Sequence, residues 1–297
     1  MVSQGFTRLI YANNIIIQLE SLVIYMPEIP EIETLRYQLQ NKVVGKKITN
    51  AVVNRAKATN VTAAKLTSVL AGQQVISARR RAKQIILSFS NYSSLVTHLM
   101  LEGYLRLFYA GEEMDRRPSL LLQFESGEQL GFFKITLGYV HLVNTDNLSE
   151  IKELADLGPE PLDPDFTVSH FRQLLAKRKG MIKPLLMDQA FMAGIGNVYS
   201  NEILFCSRIR PDRKVKDISA LEQERIFDCM KDILERAVKL GGVYEEKFAA
   251  DDDLTGGFEP HLQVAYRADK PCYVCGGKIV TKRVGGRNAF YCPICQS

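Results

Sequence analysis

Four cysteines crowd the last 26 residues as Cys272-x2-Cys275 and Cys292-x2-Cys295, with sixteen residues between the pairs. Two close pairs of thiolates on tight turns suit the tetrahedral shell of a structural zinc ion. Four sulfur ligands leave such a metal no open position, so its role is to fold the chain, not to catalyse. Gly276-Gly277 after the first pair and Pro293 inside the second supply the knuckle turns. One structural Zn2+ is expected, folding a hairpin with strands at 278–284 and 287–292. Its tip, Lys282-Arg283-Val284-Gly285-Gly286-Arg287, is basic and glycine-rich, which fits a phosphate backbone or a minor groove. Cys206 and Cys229 fall within helical patterns and read as small buried residues.

A second chemistry is latent at Met26-Pro27-Glu28. If translation starts at Met26 and that methionine is removed, Pro27 carries a free secondary amine, and an α-amino group has a pKa near ~8. Such an amine attacks a sugar C1′ or an aldehyde and forms an iminium, an electron sink for elimination. Glu28 beside it is placed to carry a proton, and Glu31 lies in the first turn of the helix that follows. In a chain that keeps residues 1–25, Pro27 is an amide and inert.

Positioning these groups takes a sizeable scaffold. The 297 residues are 46% hydrophobic and 24% charged, which excludes disordered, collagen-like and coiled-coil chains and predicts about two domains. The net charge of +5 is matched by the segment from Val264 to Ser297, where six basic residues face Asp269 alone. A basic module on a near-neutral body points to a polyanionic partner. Six cysteines are too few for a disulfide scaffold, and no apolar run reaches membrane-spanning length. Residues 1–25 lack a small-residue cleavage site, so a cytoplasmic protein is expected.

Pro30, with Ile32, Leu35 and Leu39 on one face, predicts a helix over about residues 30–41. Eight short β-like runs follow between Lys47 and Val143, separated by turn signals such as Glu102-Gly103 and Ser126-Gly127. That density predicts a β-sandwich or barrel. The proline-rich run Leu157–Asp165 reads as a linker, and helical periodicity takes over beyond it at 171–177, 183–187, 198–205 and 221–240. Residues 245–260 read as a mobile loop.

Several separated segments resemble the formamidopyrimidine-DNA glycosylase / endonuclease VIII family of DNA repair enzymes. They are Pro27-Glu-Ile-Pro-Glu-Ile-Glu33, Arg80-Arg-Ala-Lys83, Leu157-Gly-Pro-Glu-Pro-Leu162, Ile182-Lys-Pro-Leu-Leu-Met-Asp188, Ala193-Gly-Ile-Gly-Asn-Val-Tyr199 with Glu202, and Gly286–Gln296. The resemblance implies an α+β multidomain fold: an N-terminal β-sandwich with an N-terminal helix, a helix–two-turn–helix domain and a C-terminal zinc ribbon. The boundaries expected are a leader or misassigned start at 1–25, a catalytic sandwich at 26–150 and a linker at 151–165. A DNA-binding helical domain at 166–262 and the ribbon at 263–297 complete the chain. The implied activity is a bifunctional glycosylase and abasic-site lyase removing oxidised purines, formamidopyrimidine and 8-oxoguanine among them.

By the same resemblance Pro27 attacks C1′, Glu28 donates a proton during base release, and Lys83 serves β-elimination. Arg287 corresponds to an arginine tied to phosphate binding and δ-elimination. Asn197, Arg80, Arg81, Lys183, Lys282 and Arg283 are expected on DNA phosphates, and Leu101 as an apolar wedge where the family has methionine. The partner implied is double-stranded DNA with a damaged base or abasic site, bound by a monomer in the cytoplasm at the nucleoid. Phe133-Lys-Ile-Thr-Leu-Gly138 stands where formamidopyrimidine glycosylases read the opposite base through Asp-Pro-Arg-Arg-Phe-Gly, and has no arginine. An oxidised-pyrimidine glycosylase of the endonuclease VIII type, or a non-catalytic damaged-DNA-binding relative, are the alternatives.

Overall fold

The computed structural model describes residues 11–12, 15–16, 26–244 and 246–297. Of the upstream segment only β1 (Tyr11–Ala12) and β2 (Ile15–Ile16) are described, as an antiparallel pair. The expected leader otherwise lies outside the described residues.

Helix α1 (Ile29–Lys42) carries Pro30 in its first turn, where a fixed φ and a missing N–H are well suited. Its apolar residues serve two cores. Ile29 packs among helical-region residues such as Phe191 and Tyr199, whereas Ile32 and Leu39 belong to the core between the sheets. Sharing one helix between both cores leaves Pro27 and Glu28 on the seam.

Eight strands follow: β3 (Ile48–Val53), β4 (Val75–Arg81), β5 (Gln84–Phe89), β6 (Ser93–His98), β7 (Tyr104–Phe108), β8 (Leu120–Phe124), β9 (Gln129–Phe133) and β10 (Tyr139–Asn144). They form two four-stranded antiparallel sheets in the orders β10-β6-β5-β4 and β3-β8-β9-β7. Ile85, Leu87 and Phe89 of β5 face the sandwich core, and Ile86 is covered from outside by Leu154 of α3 (Lys152–Ala155). Strand β5 is therefore buried along its whole length. Helix α2 (Ala63–Leu70), absent from the sequence expectation, is capped by Thr62 and buries Leu66 and Leu70 against the same core.

Helices α4 (Val168–Ala176), α5 (Ile182–Leu186), α6 (Asn197–Cys206) and α7 (Ala220–Lys239) pack around Phe171, Ile203, Met230 and Leu234. Trimming a fully buried leucine such as Leu234 to alanine costs about 2–5 kcal/mol. A reciprocal Ser219–Glu222 cap starts α7.

Two sequence expectations are corrected here. Cys206 is exposed and Cys229 half-buried, and they are joined as a disulfide between α6 and α7. The helices bring the two Cα atoms to 5.8 Å, within bridging range. The segment after α7 is not a free loop but a strap across the sandwich. The Leu107 amide donates to the Phe248 carbonyl at 2.7 Å, Phe248 and Ala249 enter the sandwich core, and Asp251 accepts from Lys42 and from the Tyr109 hydroxyl.

The chain ends in the hairpin β11 (Val280–Val284) and β12 (Arg287–Tyr291), between the two cysteine pairs. No helix among the described residues is long and apolar enough to cross a membrane.

Candidate active site

Glu28 lies at the seam and is 2% exposed. Its carboxylate accepts from the Val198 amide at 2.8 Å and from the Gly196 amide, so it sits on the N-terminus of α6. A Cβ at Gly196 would stand 2.7 Å from both Glu28 Oε1 and Lys83 Nζ, so a larger residue there would displace both side chains. Amide donors and the Lys83 ammonium favour the carboxylate form, yet complete burial outweighs them and raises the Glu28 pKa to about 7. The group is poised to hold and release a proton near neutrality.

Glu31 holds this arrangement from below. It accepts from the Glu28 amide at 2.8 Å, the Tyr199 hydroxyl at 2.5 Å and the Val243 amide at 2.9 Å. One carboxylate thereby joins α1, α6 and the end of α7.

Lys83 follows β4 and is 8% exposed. Burial lowers its pKa, and Arg287 adds to that, while Glu28 and Glu31 oppose it. Lys183 on α5 has no exposed surface; its ammonium donates to Asn197 Oδ1 at 2.6 Å, and burial lowers its pKa to about 8. Asn197 is thus oriented by a buried cation at the first turn of α6. Gln189 shapes the turn before it, accepting from the Gly194 amide and donating to the Ile195 carbonyl, both at 2.8 Å.

A cavity of about 440 Å³ opens at this point, with Glu28, Lys83, Leu101, Asn197, Tyr266 and Arg287 in its wall. Three cations on or behind that wall, Lys83, Lys183 and Arg287, favour an anionic occupant. Pro27 is buried and faces a smaller neighbouring cavity with Glu31, Leu99, Tyr104 and Tyr244. Leu101 is 37% exposed on the β6–β7 turn. Leu137, 63% exposed, tops the β9–β10 loop, and Gly138 lets that loop close on the first: a Cβ there would stand 2.1 Å from the His98 carbonyl oxygen.

The other residues expected on DNA are placed differently. Arg80 pairs with Glu33 at 2.8 Å and with Glu160, and Arg81 donates to the carbonyls of Leu157 and Gly158. Both clamp the linker to β4 instead of lining the cavity. Lys282 pairs with Asp212 at 2.7 Å, and Arg283 donates to the Gly286 carbonyl, both on the exposed hairpin. Sequence reasoning gave no role to Glu202, which is buried and accepts from the amides of Gln263, Val264 and Ala265. With Asn201, which accepts from the Phe290 amide, it docks the hairpin on α6 and brings Arg287 over the cavity.

The sulfurs of Cys272, Cys275, Cys292 and Cys295 lie within 4.8 Å of one another. A tetrahedral zinc with bonds of ~2.3 Å places its sulfurs about 3.8 Å apart. The pairs Cys272–Cys295 and Cys275–Cys292 stand at 3.9 and 3.5 Å, so the donor set fits that ion.

Comparison with known proteins agrees with this architecture. Residues 26–135 match the formamidopyrimidine-DNA glycosylase N-terminal domain, 157–248 its H2TH domain, and 269–297 the zinc finger found in FPG and IleRS. The formamidopyrimidine-DNA glycosylase of Pelotomaculum thermopropionicum is 35% identical over 274 residues, covering 91% of this chain and 99% of its own. That of Listeria innocua is 34% identical over 273 residues, covering 91% and 100%. Lactococcus lactis Fpg bound to abasic-site DNA superposes with a TM-score of 0.84 at 30% identity, covering 91% of this chain and 99% of that one. The same enzyme with DNA containing an oxidised pyrimidine gives 0.83 over 91% and 100%. The chain belongs to the formamidopyrimidine-DNA glycosylase family. It is a zinc-binding DNA glycosylase of DNA repair.

Proposed function

We propose that the protein is a bifunctional glycosylase and abasic-site lyase acting on oxidised purines in double-stranded DNA. The observation that carries this is the convergence of Glu28, Lys83, Asn197 and Arg287 on one cavity beside Pro27. In the active chain Pro27 is the first residue, in keeping with the match to the family's N-terminal domain, which begins at residue 26. Its unprotonated amine attacks C1′ of an everted nucleotide; the C1′–base bond breaks, and the base leaves with a proton. Glu28, titrating near neutrality, supplies a proton as the sugar ring opens to the iminium. Lys83, its pKa lowered by burial, serves proton transfer during β-elimination, in which the C2′ proton is lost and the 3′ phosphate departs. Arg287 holds a phosphate for the δ step, and Asn197 holds one beside the lesion. Leu101 fills the space the everted base leaves. One zinc ion keeps the hairpin folded, and a monomer suffices for one DNA site.

Oxidised pyrimidines are the second substrate class, favoured by the loop at 134–138. Lys134 and Leu137 are exposed there, and no arginine is present to read an opposite base. Relatives named for formamidopyrimidine favour the purine reading.

The test is borohydride trapping of protein that begins at Pro27, on duplexes with an abasic site, 8-oxoguanine or an oxidised pyrimidine. Covalent adducts with the abasic and 8-oxoguanine duplexes are expected. An adduct with the abasic and pyrimidine duplexes alone transfers the activity to pyrimidines, and no adduct on any duplex overturns the lyase mechanism.

A further inference from the structure

The turn that carries Leu101 is conformationally costly. Met100 (φ +55°) and Glu102 (φ +62°), on either side of Leu101, both occupy the left-handed region that side chains other than glycine disfavour. Such a turn keeps its shape only when its surroundings hold it. Among the described residues, one side-chain hydrogen bond reaches the segment 99–103: the Tyr244 hydroxyl donates to the Gly103 carbonyl at 2.7 Å. Tyr244 comes from the strap after α7, 141 residues away in sequence. Its ring packs with Tyr104, Phe108 and Phe133, and it shares the wall of the small cavity with Pro27. The strap itself is anchored on both sides of Tyr244, by Val243 on Glu31 and by Phe248 on β7, the edge strand of its sheet. A fixed point on the helical side thus controls the wedge turn on the sandwich side.

The geometry points to Tyr244 as a positioning residue for nucleotide eversion, its hydroxyl holding the turn so that Leu101 is pre-set to enter the base stack. This rests on the glycosylase reading above. An intact damaged base must be unstacked and unpaired before it leaves the helix, whereas an abasic nucleotide has no base to extract. A device that sets the wedge therefore matters more for base excision than for cleavage at an abasic site.

The experiment is Tyr244→Phe, which keeps the ring and removes the donor, in protein beginning at Pro27. Single-turnover base excision and abasic-site cleavage are measured on matched duplexes, with 2-aminopurine beside the lesion reporting eversion. The ratio of excision to cleavage is expected to fall about five- to tenfold, the scale of one lost hydrogen bond, and the eversion signal with it. In a Leu101→Ala background the same change is expected to add no further loss, because the hydroxyl acts through Leu101. An unchanged ratio, a parallel fall of both rates with a lower melting temperature, or additive losses in the double variant would each overturn the assignment. Wild-type protein that neither excises nor cleaves overturns the catalytic reading itself, a result distinct from all of these.

Discussion

Glu28 and Val198 stand 170 residues apart in sequence and 2.8 Å apart in space, the carboxylate of one taking the amide of the other. Through that bond the first helix of the sandwich caps the helix that orients Asn197. Burial wins over the cap at this position, because the pKa of Glu28 rises to about 7 although amides and Lys83 pull it down.

The pH dependence follows from that direction. The folded pKa of about 7 exceeds the ordinary value of 4.5, so the native state binds this proton more tightly. The stability it contributes is whole below about 4.5 and is lost as the pH rises through about 7. Glu28→Gln carries a constant penalty from its altered amide contacts but no titration. The stability gap between wild type and variant should therefore shift toward the variant from about pH 4.5 to about pH 7 and level off above that, read by urea denaturation. In kinetics, wild-type base release should decline above about pH 7, and the residual rate of the variant should not follow that decline.

Tyr199→Phe isolates the support beneath the site. It removes a hydroxyl that donates to buried Glu31 and leaves the carboxylate with its two amide donors. A loss of about 1.5–3 kcal/mol is expected, the range for hydrogen bonds to charged groups. Denaturant titration measures it; a change within error would mean that the two amides satisfy Glu31 alone.

Reduction of Cys206–Cys229 should destabilise the helical region. The bridge closes a loop with a sequence separation of 23, for which chain-entropy models give about 3 kcal/mol. Wild-type protein should lose that stability with reductant present, and Cys229→Ser should be insensitive to reductant. Wild-type protein equally stable in both buffers would show that packing alone sets the α6–α7 register.

Cys292→Ser should release the zinc, read by a chelating dye, and weaken binding to damaged duplex by about 10- to 100-fold, as expected for losing one or two charged phosphate contacts. Helical circular dichroism should persist, since the cores of α4–α7 and of the hairpin are separate clusters. Collapse of the helical signal together with zinc loss would show that the hairpin supports those helices.

The chemistry was legible in sequence wherever it is local. Cysteine spacing reveals the knuckles, and Pro30 with its apolar face reveals α1. What escaped depends on partners far along the chain. Arg80 and Arg81 look like a basic patch until Glu33 and Glu160 arrive to take their charge. Cys206 and Cys229 look like filler until α6 and α7 face each other. The acidic run at Asp251–Asp253 suggests a solvated loop, and only β7, Lys42 and Tyr109 turn it into a strap. Helix α2 had a signal, Thr62 ahead of Leu66 and Leu70, that lay hidden among short strands.

The linker clamp has a mechanical consequence. Arg80 and Arg81 fasten the hinge region to β4, Glu28 fastens α6 to α1, and the strap fastens α7 to β7. Swinging the two halves apart would break hydrogen bonds at three separated points, two of which involve ionisable side chains. The protein meets a duplex as a stiff die, and the double helix is the softer body. Any bending that binding requires would then fall on the DNA, and a lesion that weakens stacking lowers its cost.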